Sequence, residues 1–269
     1  MNHSSLQKIL APLSLGGLRY FDSIGSTNDE ALAWATEDAL DFSLVIADEQ
    51  TTGRGRAGRQ WVTPRGTALA FSLILRPART ESGENRVETN GEMITPTLFT
   101  GLGAVAIVDA LKARGLSPQI KWPNDVLLNG KKVAGILTEA VWTGDALDAI
   151  VIGIGVNALT GSNPPDDELY FPATNLESEI GSAFQREELL RDILSALSAW
   201  RTKISTGELK IAWEENLAFR GKQVRVERGS EEPLIGQVMG LEADGSLRLF
   251  INDKIVTVQF GEIHLRPSV

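Results

Sequence analysis

The sequence predicts an α+β fold in which a large mixed region is followed by a small all-β unit. Between residues 18 and 220, short apolar runs of strand length alternate with segments whose apolar residues recur at helical spacing. After Arg220-Gly221 the helical period disappears. Short strand-like runs then follow one another, separated by turn residues such as Asp244-Gly245. The change of pattern predicts a β-barrel of about 48 residues.

The length of 269 residues fits one large domain or one large domain plus a small one. We expect a boundary at each change of pattern. Residues 1–17 are interpreted as a loosely packed N-terminal tail or a short helix, residues 18–220 as the main domain, and residues 221–269 as the β-barrel.

Composition excludes several classes of function. The net charge of −9 argues against a sequence-independent grip on nucleic acid, which needs a basic face. Without cysteine there is no disulfide, thiolate nucleophile or cysteine-based zinc site. The two histidines, His3 and His264, lie in no motif, so the sequence offers no good candidate for the histidine of a catalytic triad. No apolar run of about 18 residues and no signal peptide are evident, so a cytoplasmic protein is expected.

Apolar runs and turn residues predict the strands of the main domain. The pair Asn129-Gly130 is a strong hairpin signal, joining residues 126–128 to residues 132–137. The other strands are expected at 18–21, 43–47, 67–75 and 149–156. The polar stretch 79–92 is interpreted as a mobile surface connection. In the β-barrel, strands are expected at 222–228, 234–242, 246–251 and 254–260.

Helices are predicted from capping signals and apolar spacing. Thr27 followed by Glu30 matches a capping box, so a helix is expected to start there. A longer helix is expected to have Pro96 at its first position, one apolar face, and Gly115 at its end. Two further helices carry the apolar stripes Leu189, Ile193, Leu197, Trp200 and Ile204, and Leu209, Trp213 and Leu217.

The most unusual stretch is residues 48–61, DEQTTGRGRAGRQW. Within it lies the arginine loop, residues 53–59, where three glycines alternate with three arginines. Glycine allows close approach of backbone to a ligand, and arginine offers a charged fork of donors, so this composition suits an anion. The loop also fits the dinucleotide pattern G-x-G-x-x-G. That interpretation is disfavoured because Pro64 and Gly66 oppose the helix it requires. The simplest alternative is a solvated basic turn.

Two further stretches carry candidate residues. Lys121, flanked by Ile120 and Trp122, is expected to aim its ammonium group into a cleft. The neighbouring pair Lys131-Lys132 flanks the hairpin turn and is interpreted as solvated. The pair Gly153 and Gly155 lies near the end of the predicted strand 149–156 and is interpreted as close strand packing.

Four segments, in this order and spacing, resemble those of the biotin protein ligases, the biotin–[acetyl-CoA-carboxylase] ligases. They read GSTN, GRGRAGRQW, KWPNDVLLNGKKVAGILTE and GIGVN, and the resemblance covers about residues 18–266. It implies a mixed-sheet catalytic biotin/ATP-binding domain over 18–220, related to class II tRNA synthetases and lipoate ligases. An SH3-like β-barrel would follow over 221–269. It also implies synthesis of biotinyl-5′-AMP from biotin and Mg-ATP, then transfer of biotin to a lysine of a carrier protein.

The resemblance assigns site residues by position. For biotin it implies Ser26, Thr27, Asn28, Gln50, Arg54, Gly55, Arg56, Lys121 and Gly135. For ATP it implies Arg56, Arg59, Trp61, Lys121, Asn124 and Asn157. Of these, Arg56 and Lys121 are expected to be catalytic, because cations offset the repulsion between a carboxylate and a triphosphate. Magnesium would bind mainly through the phosphates, and its protein ligands are not identified.

The resemblance also implies partners. The carrier would be the biotin carboxyl carrier protein domain of acetyl-CoA carboxylase or a related carboxylase, and a homodimer is left open. About 17 residues precede the first strand, too few for the helix-turn-helix of relatives that repress biotin operons, so we expect the ligase-only class without DNA binding. No membrane partner is expected. The alternatives are a lipoate or octanoate ligase, and a non-catalytic sensor of biotin or nucleotide.

Overall fold

The centre of the protein is a mixed seven-stranded sheet. The computed structural model describes residues 1–76, 88–89, 92–93, 95–144, 146–163, 171–182, 184–228, 231–259 and 263–267. The sheet has the order β1-β2-β3-β9-β8-β7-β6, in which only β1 and β2 pair in parallel. Its strands are β1 Gly17–Phe21, β2 Ser43–Ala47, β3 Ala68–Leu75, β6 Gln119–Lys121, β7 Asp125–Leu128, β8 Lys131–Thr143 and β9 Ala146–Asn157. A separate pair, β4 Glu88–Thr89 and β5 Glu92–Met93, lies beside residues outside the described part, so the prediction for 79–92 falls largely outside it.

Helices pack on both faces of the sheet. They are α1 His3–Leu10, α2 Thr27–Thr36, α3 Pro96–Lys112, α4 Leu176–Ile180, α5 Arg186–Arg201 and α6 Glu208–Glu215. Successive residues of β2 point to opposite faces, so Leu44 and Ile46 join the large cluster with α1, α3, α5 and α6. Val45 joins the smaller cluster with Ala31 and Ala35 of α2. The face that α2 covers only partly is the one that carries the cavity described below.

Helix α3 is buried around almost its whole circumference. Fourteen of its seventeen residues are buried, because α5 and α6 cover the side that faces away from the sheet. The prediction of one apolar face was therefore too narrow, although Pro96 does occupy the first turn and Gly115 follows the helix with φ 77°. At Gly101 a Cβ would overlap the indole ring of Trp213, so glycine allows α6 to pack closely.

The C-terminal unit is a five-stranded antiparallel sheet of order β13-β12-β11-β10-β14. Its strands are β10 Gln223–Arg228, β11 Glu231–Leu241, β12 Leu247–Ile251, β13 Lys254–Val258 and β14 Ile263–Pro267. Four of these were predicted, and β14 was not. One apolar cluster includes both the main sheet and Val224, Val238 and Leu249 of this unit, so the two parts share a core.

A turn of the C-terminal unit is anchored in the main domain. Between β11 and β12, the carbonyl of Gly245 accepts a hydrogen bond from the indole Nε1 of Trp122 at 2.9 Å. The neighbouring carbonyl of Asp244 accepts one from Thr95 Oγ1 at 3.1 Å. Trp122 is fully buried and directly follows β6, so the small unit supports the segment that carries Lys121.

Most predicted elements are confirmed, with three differences besides those at α3 and β14. The hairpin at Asn129-Gly130 has φ values of 49° and 75°, as a type I′ turn requires. Residues 1–17 contain a helix whose Leu6 and Leu10 are buried, so the tail alternative is wrong there. Helix α2 is capped by Ser26, whose side chain accepts from Asp29 N, and not by a box from Thr27 to Glu30. Helix α4, with Asn175 as its N-cap, was not predicted.

Candidate functional site

A cavity of about 100 Å³ lies between the N-terminus of α2, the arginine loop and the sheet. Its floor is formed by β8 and β9, on the face where α2 packs. Eleven of the predicted site residues line it: Ser26, Thr27, Asn28, Gln50, Arg54, Gly55, Arg56, Arg59, Trp61, Asn124 and Gly135. Seven residues that were not predicted to belong to the site also line it: Gln60, Lys132, Ile136, Leu137, Gly153, Ile154 and Gly155. Of the predicted residues, Lys121 and Asn157 are not among the lining residues that the structure describes.

One end of the cavity is polar and neutral. The backbone N–H and the hydroxyl of Thr27 both donate to Gln50 Oε1, at 2.8 and 3.0 Å. The amide nitrogen of Gln50 in turn donates to Thr63 Oγ1 at 3.2 Å. These groups are brought together because the chain after β2 runs past the first turn of α2, where Ile24 and Gln50 form a bridge. The result is a cluster of donors and acceptors suited to a small polar ring.

Asn28 lies against the sheet, and both the nitrogen and the oxygen of its side-chain amide are hydrogen-bonded. Its Nδ2 donates to Glu139 Oε2 at 2.8 Å, and its Oδ1 accepts from Ser72 Oγ at 2.5 Å. A Cβ at Gly153 would overlap this amide. Asn28 is therefore placed by α2, β3, β8 and β9 together.

The ring of Trp61 packs against two glycines of the sheet. Gly135 and Gly155 are cross-strand partners, and a Cβ at Gly155 would overlap the indole ring. The interpretation of Gly153 and Gly155 as close strand packing was wrong, because they make room for the side chains of Asn28 and Trp61. The indole Nε1 of Trp61 is buried without a hydrogen-bond partner among the described residues, so it can donate to a ligand.

The three arginines of the arginine loop have different surroundings. Arg54 forms a two-pronged pair with Glu139, at 2.9 and 2.7 Å, and a second pair with Asp29 at 2.8 Å. The hydrogen bonds to Glu139 raise the pKa of Arg54. Its contacts are thus with protein carboxylates, whereas its predicted role in biotin binding stays a prediction. Arg56 Nη1 donates to Asn124 Oδ1 at 3.4 Å, and burial lowers its pKa. Arg59 Nε donates to the Arg56 carbonyl at 3.1 Å.

The other end of the cavity is cationic and is organised by Asp125. This carboxylate is buried, with Lys121 Nζ 3.1 Å from one oxygen and Lys132 Nζ 2.6 Å from the other. Burial alone would raise the pKa of Asp125, but the two ammonium groups outweigh it and hold the pKa well below its usual range. Asp125 therefore stays ionised and fixes both lysines.

Lys132 lines the cavity, whereas Lys121, which shares Asp125 with it, is not among the described lining residues, and its predicted role stays a prediction. Lys132 Nζ lies 5.4 Å from the centre of the Trp61 ring, while Lys121 Nζ lies 4.9 Å from the centre of the Phe171 ring. The interpretation of Lys132 as a solvated turn residue was wrong. Regular alternation along β8 would put Lys132 and Gly135 on opposite faces. The register between β7 and β8 shifts at this point, which adds one residue to β8 and brings both onto the cavity face.

Asn157 lies at the end of β9 and is buried. Its Nδ2 donates to the Thr174 carbonyl at 3.1 Å, which ties β9 to the segment before α4. The predicted contact with ATP stays a prediction.

Among the described residues, no group of three or more histidine, aspartate or glutamate side chains is arranged to hold a metal ion. No described helix is long and apolar enough to span a bilayer.

Comparison with known proteins gives the class. The model of the biotin/lipoate A/B protein ligase family matches residues 20–157, and the chain belongs to this family. Over 252 residues it is 35% identical to the bifunctional ligase/repressor BirA of Bacillus subtilis, covering 92% of this chain and 74% of that protein. Over 234 residues it is 36% identical to the biotin--[acetyl-CoA-carboxylase] ligase of Paracoccus denitrificans, covering 83% and 90%.

A solved structure agrees with this classification. The biotin protein ligase from Aquifex aeolicus in complex with biotin and ATP matches with a TM-score of 0.77 and 26% identity. The match covers 94% of this chain and 99% of that one. The fold implied by the sequence resemblance, a mixed α+β domain followed by a small β-unit, is confirmed.

The central role of Asp125 predicts a stability effect. In Asp125→Asn two ammonium groups face each other without a carboxylate, so the free energy of unfolding should fall by about 3–5 kcal/mol at pH 7. Because the folded pKa of Asp125 is depressed, its contribution is present above the unfolded pKa of about 3.9 and is lost as the pH falls further. The difference between parent and variant, measured by urea unfolding, should therefore shrink below about pH 4.

Asp192→Asn is the matched control for this prediction. Like Asp125, Asp192 meets two cations, but its pairs with Arg114 at 2.7 Å and Arg191 at 2.8 Å are partly exposed, so breaking them should cost only about 1 kcal/mol. A loss at pH 7 no larger for Asp125→Asn than for Asp192→Asn would contradict the assigned role.

Proposed function

We propose that this chain activates biotin with ATP to form biotinyl-5′-AMP and then transfers the biotin to a lysine of a biotin carboxyl carrier protein domain. The observation that carries the proposal is the polarity of the cavity. Neutral hydrogen-bonding groups of Thr27 and Gln50 lie at one end, and the cations Lys132 and Arg56 lie at the other. The ring of Trp61 supplies an apolar surface, packed against Gly155 and with its centre 5.4 Å from Lys132 Nζ. Biotin has three matching parts: a polar ureido ring, an apolar chain and a carboxylate.

The neutral end fits the ureido ring. A ureido group offers one carbonyl acceptor and two N–H donors, and the cluster of Ser26, Thr27 and Gln50 supplies both hydroxyl donors and an amide oxygen. Thr27 and Gln50 already bond to each other, and Ser26 Oγ accepts from Asp29 N, so a ligand exchanges partners rather than leaving buried groups unpaired. This gives specificity for a ring that hydrogen-bonds in the same way.

The cationic end fits adenylation. A carboxylate oxygen of biotin attacks the α-phosphorus of ATP, the bond to the β-phosphate oxygen breaks, and pyrophosphate leaves with the electron pair. Both reactants are anions, so fixed positive charge lowers the barrier more than it strengthens substrate binding. Lys132 is fixed by Asp125, and Arg56 by Asn124, before the substrate arrives. In the second step the carrier lysine amine attacks the acyl carbon, and AMP leaves.

The remaining substrate and the metal follow from this chemistry. The Paracoccus relative is named for acetyl-CoA carboxylase, which supports a carrier domain of that enzyme class as the acceptor. The described acidic side chains do not form a metal cluster. We therefore assign no protein ligands to Mg²⁺, which would come with the phosphates of ATP.

The test is pyrophosphate release with ATP and one acid at a time. Biotin should support turnover, whereas lipoate and octanoate should not, because neither has a ureido group for Thr27 and Gln50. Transfer is then measured as incorporation of labelled biotin into a carrier domain. Turnover with lipoate alone would favour the lipoate ligase branch of the family. Biotin binding without pyrophosphate release would favour a sensor.

The choice between the two lysines is tested by substitution. Lys132→Ala should lower biotin-dependent pyrophosphate release about 10²- to 10³-fold, because a preorganised charge at the reacting end is removed. Biotin affinity should fall less, since Thr27 and Gln50 hold the ring. Lys121→Ala should lower the rate less than Lys132→Ala, because Asp125 keeps Lys132 in place. A larger loss in Lys121→Ala than in Lys132→Ala would support the catalytic role that the sequence predicts for Lys121.

Three further properties belong to this proposal. With a net charge of −9, residues 1–269 are proposed not to bind operator DNA. A gel shift at nanomolar protein and physiological salt, with biotin present, should show no specific complex.

A homodimer is tested by light scattering with and without biotin. The proposed cytoplasmic location follows from ATP and the carrier as substrates, and fractionation of cells that produce the protein would check it.

A further inference from the structure

Glu139 joins two parts of the cavity that are far apart in the sequence. It lies on β8 and shares its face with Gly135, since the two residues are four apart along the strand beyond the register shift. One carboxylate oxygen accepts from Arg54 Nη1. The other accepts from both Arg54 Nη2 and the Asn28 amide. The carboxylate is about three-quarters buried, with 26% of its side chain exposed.

The arginine loop depends on this contact because most of its other hydrogen bonds are internal. Gly55 N donates to the Arg59 carbonyl, and Trp61 N donates to the Gly53 carbonyl, so these bonds shape the loop without attaching it to the sheet. Outside the loop, Arg54 also pairs with Asp29 of α2 at 2.8 Å, on a side chain more exposed than that of Glu139. Toward the sheet, Arg56 donates to Asn124 at 3.4 Å, a longer bond than either prong of the Arg54–Glu139 pair. A glycine-rich segment loses much backbone freedom on ordering, so one strong attachment has a large effect on it.

The same carboxylate is connected to the neutral end of the cavity. Asn28 is oriented by Glu139 on one side and by Ser72 on the other, and Ser72 Oγ also lies 2.8 Å from Thr27 Oγ1. Thr27 in turn donates to Gln50. The groups that would hold the ureido ring are thus linked through Asn28 to the residue that attaches the arginine loop.

We propose that Glu139 is a positioning residue that latches the arginine loop over the cavity through Arg54 and sets how long the bound acid and its adenylate stay there. The residue acts through Arg54 and Asn28 and need not touch the substrate. The latching itself does not depend on the identity of the ligand. Its effect on retention rests on the proposed function.

The first experiment measures the latch in the ligand-free protein. Glu139→Gln keeps the shape and the hydrogen bond from Asn28 but removes the negative charge that Arg54 meets on the sheet, while the pair of Arg54 with Asp29 on α2 remains. Hydrogen exchange of the amides in residues 53–61 should become about 3- to 10-fold faster, because a two-pronged, mostly buried arginine–carboxylate pair is stronger than an exposed ion pair. Glu139→Asp keeps the charge on a shorter side chain and should restore part of the protection. Asp192→Asn, which breaks the remote pair with Arg114, should leave the loop unchanged.

The second experiment separates retention from binding. By stopped flow with biotin, Glu139→Gln should raise the dissociation rate constant about 3- to 10-fold, with a smaller change in the association rate constant. The double variant Glu139→Gln/Arg54→Gln should dissociate biotin about as fast as Arg54→Gln alone, because both changes remove the same contact.

The outcomes distinguish this inference from the proposed function. Unchanged exchange in residues 53–61 of Glu139→Gln would overturn the latch, as would additive effects in the double variant. If the parent protein fails to bind biotin, the proposed function is wrong, and the exchange experiment still decides the latch. Faster exchange in the loop together with an unchanged dissociation rate would overturn the link to retention.

Discussion

The site depends on one buried ion cluster, in which Asp125 holds Lys121 and Lys132 at the end of the cavity. A buried carboxylate with a single cation offers no surplus charge to a ligand. With two cations the cluster carries a net positive charge, so it can attract a further anion without losing its own pairing. Since Asp125 stays ionised at any pH near neutrality, the ammonium group of Lys132 is in position before any substrate arrives.

Glycine on the sheet is the complementary constraint. The sheet is close-packed on the face covered by α3, but on the other face Gly135, Gly153 and Gly155 leave space above the backbone. Asn28 and Trp61 occupy that space and turn a bare sheet into a cavity with a polar and an apolar wall. A side chain at either Gly153 or Gly155 would displace one of these walls. The cationic cluster thus sets the charge of the site, and the three glycines set its depth.

The small C-terminal unit contacts the segment that carries the cations of the site. Its turn at Gly245 accepts the indole hydrogen bond of Trp122, which lies between Lys121 and the Asn124-Asp125 pair in the sequence. The apolar cluster is continuous across both parts of the chain. Placement of the cations therefore involves residues from both, although none of the cavity-lining residues in the described part belongs to the C-terminal unit.

The sequence by itself determined most of the helices and strands and the Asn129-Gly130 hairpin, because these depend on local periodicity and turn residues. Its resemblance to the biotin protein ligases identified eleven of the residues that line the cavity. The sequence did not determine which lysine lines the cavity. At this point β8 has one residue more than its partner β7, and the extra residue brings Lys132 and Gly135 onto the same face. Such a bulge is defined by the pairing of two strands, so it cannot be recognised from the sequence of β8 alone. The sequence also did not determine the role of Glu139, whose partners Arg54 and Asn28 lie 85 and 111 residues away. Contacts at such separation are set by packing of the sheet, α2 and the arginine loop, so only the tertiary structure decides them.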